Sequence, residues 1–275
     1  MKKTLLFVLT IPIAAFIIFL LIGVWLTERF SEEKVEQLRN SIVQDSENSG
    51  SDNLPIPVER YLKFAVADNS AAPKMIEIFL QGEFKTSENS AWKQIQAVQY
   101  SVTQEPGFLW DADIKLAGPL WARAFDYYID AKGGFLIKIL SGLTVTETSG
   151  SEIDASGLFK YLSNSVFYPR VLTQNYIKWT PVDDSTAIAA ISTSDVNISA
   201  YFHFNQDGGI SYITSNDISR STHAGFMKTP CTVSFKNYNR RNGINIPSYF
   251  ETAWNTDKGD FLYGRFHVDS LKVLK

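Results

Sequence analysis

The sequence predicts a mainly β protein: a curved antiparallel sheet or half-barrel with a helical insertion, preceded by one N-terminal transmembrane helix. Residues 4–26 form an apolar run without a charged residue, just behind Lys2 and Lys3. From residue 74 onward, about a dozen stretches rich in β-branched and aromatic residues alternate with turn signals. Between residues 150 and 173 that pattern breaks, and Ile153, Leu158, Tyr161 and Leu162 recur at helical spacing.

A helix rises about 1.5 Å per residue, so the apolar run crosses a hydrocarbon core of roughly 30 Å. Pro12 and Gly23 inside it are tolerated in membrane helices. A cleaved secretory signal is the competing reading. Its apolar region ordinarily stops at about 15 residues and leads into a small-x-small cleavage site, and no such site follows Leu26. An uncleaved anchor over residues 1–26 is therefore expected, making this a single-pass membrane protein. Lys2 and Lys3 on one side are nearly balanced by Arg29, Lys34 and Arg39 on the other. The short head is easily retained and a long domain is exported largely regardless of charge, so the large domain is expected to be extracytoplasmic.

Residues 27–44 are charged and helix-compatible, with Val35, Leu38 and Ile42 on one face. The expectation is a solvated extension of the membrane helix, and a self-association seam is the sharper alternative. The stretch 45–53, DSENSGSDN, has no apolar residue and reads as a flexible linker. Neck and linker thus take residues 27–53, and a β-rich domain takes 54–275. With nothing apolar in the linker to bury, that domain is expected to fold without the anchor.

The domain begins Leu54-Pro55-Ile56-Pro57-Val58, extended because each proline pushes its predecessor out of the helical region. A short helix over residues 58–64 follows. Strands are expected at 75–84, 92–103, 108–116, 125–129, 135–140 and 143–148, with a hairpin signal in the stretch 130–134. Ser151 with Glu152 or Asp154 starts the helical insertion, and Pro169 ends or kinks it. Strands resume at 177–180, 186–193, 197–204, 210–215, 232–238, 244–254 and 260–274. Asn242-Gly243 between two of these is the strongest short hairpin signal in the chain.

Composition excludes more than it assigns. Across 275 residues the net charge is −3, which gives no basic footprint for nucleic acid. The single cysteine, Cys231, forms no internal disulfide and no cysteine-based zinc cluster, and its alternating TPCTVSF context suits a buried, inert thiol. No G-x-S-x-G, H-E-x-x-H, P-loop or G-x-G-x-x-G is present. His203 and His267 sit in strand-like runs, whereas His223 in a polar segment is the better placed for surface chemistry. Asp111, Asp113, Asp126 and Asp130 flank strands and are ordinarily solvated there. An acid/base pair among them is the alternative. Neither a metal site nor a cofactor is expected.

Aromatic residues are the strongest functional signal, with 19 Phe, 12 Tyr and 6 Trp. Ordinary core packing is one reading. The other is a concave sheet with an apolar ligand cavity, lined by Phe108, Trp110, Tyr127, Phe135, Leu158, Leu162, Tyr168 and Trp179. The insertion is expected to lie across the open mouth or one face of the sheet, because its apolar residues need something apolar to cover.

An ordered series of short motifs resembles an uncharacterised bacterial membrane-anchored domain family. The series runs Leu54-Pro-Ile-Pro-Val-Glu-Arg60-Tyr61-Leu62, Gly82-Glu-Phe84, Trp92, Gln99 and Pro106-Gly-Phe-Leu-Trp110-Asp-Ala112. It continues through Tyr161-Leu162, Tyr168-Pro169, Trp179, Asp207-Gly208, Gly243, Ile246-Pro247 and Trp254. The chain departs from the family at Lys160 and Asn164, where Arg and Glu are favoured, and at Cys231, where an aromatic is usual. More distantly, the strand series with its insertion is similar to the half-barrels of periplasmic lipoprotein carriers. The resemblance implies a bacterial cytoplasmic membrane protein and carries no activity with it. The expected function is lipid or apolar-ligand binding without catalysis. A hydrolase-like enzyme on strand-edge carboxylates and His223, or a structural or partner-binding domain, are the alternatives.

Overall fold

The computed structural model describes residues 2–42, 53–66, 73–193, 195–222 and 225–274, with side chains from Ile11 onward. Residues 45–52 of the expected linker over 45–53, and His223, lie outside the described residues.

Helix α1 (Lys2–Asn40) is continuous, with Pro12 inside it. The apolar run and the charged neck are thus one rod, about 58 Å long at the usual rise. Helix α2 (Ile56–Ala65) starts on Pro55 and Pro57, whose fixed φ suits a first turn. Strands β1 (Met75–Phe84), β2 (Lys93–Val102), β3 (Gly107–Lys115), β4 (Trp121–Ile129), β5 (Lys132–Ile139) and β6 (Leu143–Ser149) form an antiparallel meander. Helix α3 (Ser151–Ser163) and two 3-10 turns, Asn164–Phe167 and Pro169–Thr173, make the insertion.

The second meander is β7 (Ile177–Asp183), β8 (Thr186–Ser192), β9 (Asn197–Phe204) and β10 (Ile210–Ser215). Strands β13 (Cys231–Arg241), β14 (Ile244–Thr256) and β15 (Gly259–Leu274) then lead back until β15 pairs with β1. A small separate hairpin, β11 (Ser219–Thr222) with β12 (Gly225–Lys228), falls where the sequence predicts no strand. Among the described residues the main sheet has 13 strands, in the order β6-β5-β4-β3-β2-β1-β15-β14-β13-β10-β9-β8-β7.

Local signals explain the turns. Asn242 and Gly243 take φ of 48° and 83°, as a tight hairpin with two left-handed residues requires. The β4–β5 turn instead uses Asp130 and Ala131, at φ 53° and 60°. Gly133 and Gly134 are therefore free to serve packing. A Cβ on Gly133 would stand 2.6 Å from the carbonyl oxygen of Ile153 in α3, and Gly134 lies against the ring of Tyr127.

The sheet's two edges, β6 and β7, are consecutive in the chain apart from the insertion. The insertion therefore has to bridge the open side of the curve. It does so with Leu158, Tyr161, Leu162, Val166, Phe167, Val171 and Leu172 wholly or almost wholly buried. Curvature brings the halves close enough for Lys132, after the β4–β5 turn, to pair with Asp195, between β8 and β9, at 2.6 Å.

The outer face of β2–β5 is apolar too, and α1 covers it. Leu38 is fully buried with Met75, Val102, Leu109, Phe125, Ile129 and Leu136. Phe30 meets Phe125 edge-on at 4.8 Å, and Lys34 lies 4.2 Å over the Tyr127 ring. Ser31 donates to Asp111, which also accepts two hydrogen bonds from Arg123. The neck is therefore not a solvated extension. Leu109, Phe125 and Leu136 face away from α3 and need a second cover, and the stripe of Phe30, Val35 and Leu38 supplies it.

Candidate functional site

Alternation along each strand sends every second side chain to the inner face. Antiparallel register then aligns these residues across strands. Gln99, Trp110, Asp126, Phe135 and Thr148 form one such row over β2 to β6. Helix α3 crosses above it. Lys160 Nζ reaches Asp126 Oδ2 at 2.7 Å and stands 4.4 Å from the Trp110 ring and 5.2 Å from that of Phe108. One turn on, Asn164 Nδ2 donates to Gln99 Oε1 at 3.0 Å.

Behind this row, toward the β3–β4 turn, the inner face of β1–β5 is apolar and its side chains shrink. Leu80, Ala97, Ala112, Ala124 and Ile137 align as the next row, and Gly82, Ile95, Ile114, Ala122 and Ile139 as the one after. This lane of alanines is itself buried within the packed core. Trp110 stands at its edge and reaches across the curve to Phe266 of β15, edge-to-face with ring centres 6.4 Å apart.

The eight residues predicted to line a cavity divide into three groups. Phe108, Leu158, Leu162 and Tyr168 are at most 2% exposed and belong to the packed core between α3 and the sheet. Leu158 and Leu162, four residues apart, fill that space themselves. Trp110, Phe135 and Trp179 also stand on the inner face but keep some surface. Trp179 is anchored there by its indole N–H donating to the Leu172 carbonyl at 2.9 Å. Tyr127 does not join them. It alternates out of register with Trp110, onto the outer face under Phe30 and Lys34.

Sequence reasoning missed the polar edge of the site. Lys160 and Asn164 stood out only as departures from a motif, and Asp126 only as one of several strand-flanking acids. Their meeting depends on α3 crossing β2–β5, which spacing alone does not reveal.

Deeper in, tyrosine hydroxyls seal the insertion to the sheet. Tyr161 and Tyr176 lie 2.9 Å apart, Tyr161 donates to the Val102 carbonyl, and Tyr168 donates to that of Tyr161. Burial raises the pKa of all three, so they stay protonated donors across the ordinary pH range.

Of the four strand-flanking carboxylates two come together: Asp111 and Asp113 share the outer face beside Arg123, whereas Asp126 is on the inner face with Lys160 and Asp130 is in a turn. Burial raises the Asp113 pKa, opposed by the nearby Arg123 charge. A broad open depression of about 1480 Å³ also lies on the outer face, over β1–β3 and β14–β15. Its lining mixes polar and apolar residues, with Arg265 paired to Glu83 and Gln81 to Asp269 beside Leu120, Trp121 and Tyr249.

Residues 52–272 match the model of a family described as "Family of unknown function (DUF6920)". No curated protein matches the chain. Among solved structures, a LolA superfamily protein from Nitrosomonas europaea is 8% identical, with a TM-score of 0.40, over 80% of this chain and 92% of that one. A DUF1329 family protein from Desulfovibrio piger is 10% identical, with a TM-score of 0.42, over 80% and 94%. Both are distant, fold-level likenesses that carry no ligand or activity to this chain.

Proposed function

Because the chain belongs to this DUF6920 family of unknown function, we propose from its own residues that it is a membrane-tethered binding domain. It holds a lipid or other apolar ligand against the inner face of its sheet, without catalysis. Residues 1–26 are the cytoplasmic head and membrane helix of a bacterial cytoplasmic-membrane protein, 27–53 the neck and linker, and 54–275 the extracytoplasmic domain. The observation that carries the reading is the row of small inner-face residues Ala97, Ala112 and Ala124, which lies buried beside one aromatic, Trp110, and one ion pair, Lys160–Asp126. Small side chains on a curved floor make room for an acyl chain once the side chains packed over them move aside, and a single charged pair at the edge suits a polar head.

Two measurements test this. Lipid extracted from the purified full chain and identified by mass spectrometry is expected at a fixed ratio to protein. Trp110→Glu, which brings a poorly solvated charge to the lane, is expected to abolish binding of an apolar fluorescent probe while leaving the β-type circular dichroism spectrum in place. Unchanged probe binding in a folded Trp110→Glu protein would overturn the site. A modest stability loss with binding intact would make these aromatics plain core.

A further inference from the structure

The apolar part of α1 does not stand clear of the domain. A Cβ on Gly23 would lie 2.9 Å from the Gly142 Cα, and one on Gly142 would lie 2.5 Å from the Phe19 ring. Two glycines thus allow the helix and the β5–β6 turn to touch backbone to backbone. The β3–β4 turn is joined to the same place. The Trp121 indole N–H donates to Ser141 Oγ at 3.2 Å, and the Leu140 N–H donates to the Trp121 carbonyl at 3.0 Å.

If the span ends at Leu26, Phe19 lies roughly 10 Å further down the helix axis. A turn touching Phe19 and Gly23 is then level with the last turns of the span, not above them. The side chains around it suit that depth. Leu143, Val145 and Leu120 are 59%, 48% and 43% exposed. Just above, the Arg29 guanidinium stands 5.9 Å from the ring of exposed Trp25, an aromatic and a cation of the kind found at a membrane surface. Strand β6 is an edge strand, and an exposed apolar edge in water invites association unless something covers it.

We propose that the bilayer spanned by α1 is that cover. The β3–β4 and β5–β6 turns sit in the leaflet nearest the domain, with Leu120, Leu143 and Val145 among the acyl chains. Lys115 and Lys138, on the same strand ends, extend to the headgroups. This rests on the tethered reading above and adds a fixed pose to it. The domain stands on the membrane at a set height, instead of swinging on a leash.

The test uses the full chain in vesicles of phosphatidylcholine and phosphatidylglycerol. A nitroxide is placed at one position at a time, by Leu120→Cys, Leu143→Cys, Ile18→Cys or Val182→Cys. Native Cys231 is buried and does not take the label. Collision with oxygen, which partitions into lipid, is compared with collision with a water-soluble nickel complex. Labels at 18, 120 and 143 are expected to be several-fold more protected from nickel than the label at 182, on the opposite edge strand. Protection at 18 alone, with 120 and 143 as open as 182, would overturn the pose and leave the span standing. Nickel access at 18 as well would overturn both.

Discussion

Cys231 lies at the start of β13, is 2% exposed, and its thiol pKa is pushed up by burial to about 12. At pH 8 its thiolate fraction is on the order of one part in ten thousand. The native protein is therefore expected to resist a thiol reagent for hours at pH 8 and to react fully once unfolded in guanidinium. Stoichiometric labelling of the folded chain within minutes would refute the buried, inert assignment. Lys160 is a contrasting case. It is partly exposed and paired, and it stands beside two aromatic rings. Its ammonium stands over the Trp110 ring while it pairs with Asp126.

Among the elements, α1 and α3 cover opposite faces of the same strands. Helix α3 has to cross the inner face because it links the two edges. Helix α1 is used differently from what a polar linker suggests, since Phe30 and Leu38 close over Leu109, Phe125 and Leu136. Uncovering each such side chain costs about 1.5–3 kcal/mol. A chain beginning at Asn53 is therefore expected to be less stable than one beginning at Thr27, to bind a hydrophobic dye, and to self-associate. Equal denaturation midpoints and monomeric sedimentation for both would show that the neck contributes nothing. Expecting residues 54–275 to fold unaided left this patch out of account.

For the whole molecule, the first strand pairs with the last, so the sheet closes on itself in sequence while its edges stay open in space. Many of its contacts join residues far apart in the chain, an arrangement that folds slowly. The topology prediction belongs to this scale. A periplasm-active enzyme fused after Lys275 is expected to be active, and a cytoplasm-active one silent. The opposite pattern would reverse the orientation while leaving the β-sheet architecture untouched.

The sequence by itself determined the elements and their punctuation. Period-two alternation, the Asn242-Gly243 turn, the apolar run and the helical spacing of Leu158 and Leu162 are all local, so residues close in the chain suffice to read them. It grouped Trp110 and Tyr127 alike among the residues expected to line a cavity. It did not decide which face each aromatic takes, because a one-residue difference in parity sends Tyr127 to α1 while Trp110 goes to the inner face. Nor did it decide that Phe108, Leu158, Leu162 and Tyr168 would be consumed as core, that Lys160 would find Asp126, or that the neck would dock. Each of these depends on strands brought together from distant parts of the chain and on helices crossing them. Burial is a property of that assembly, and no single segment carries it.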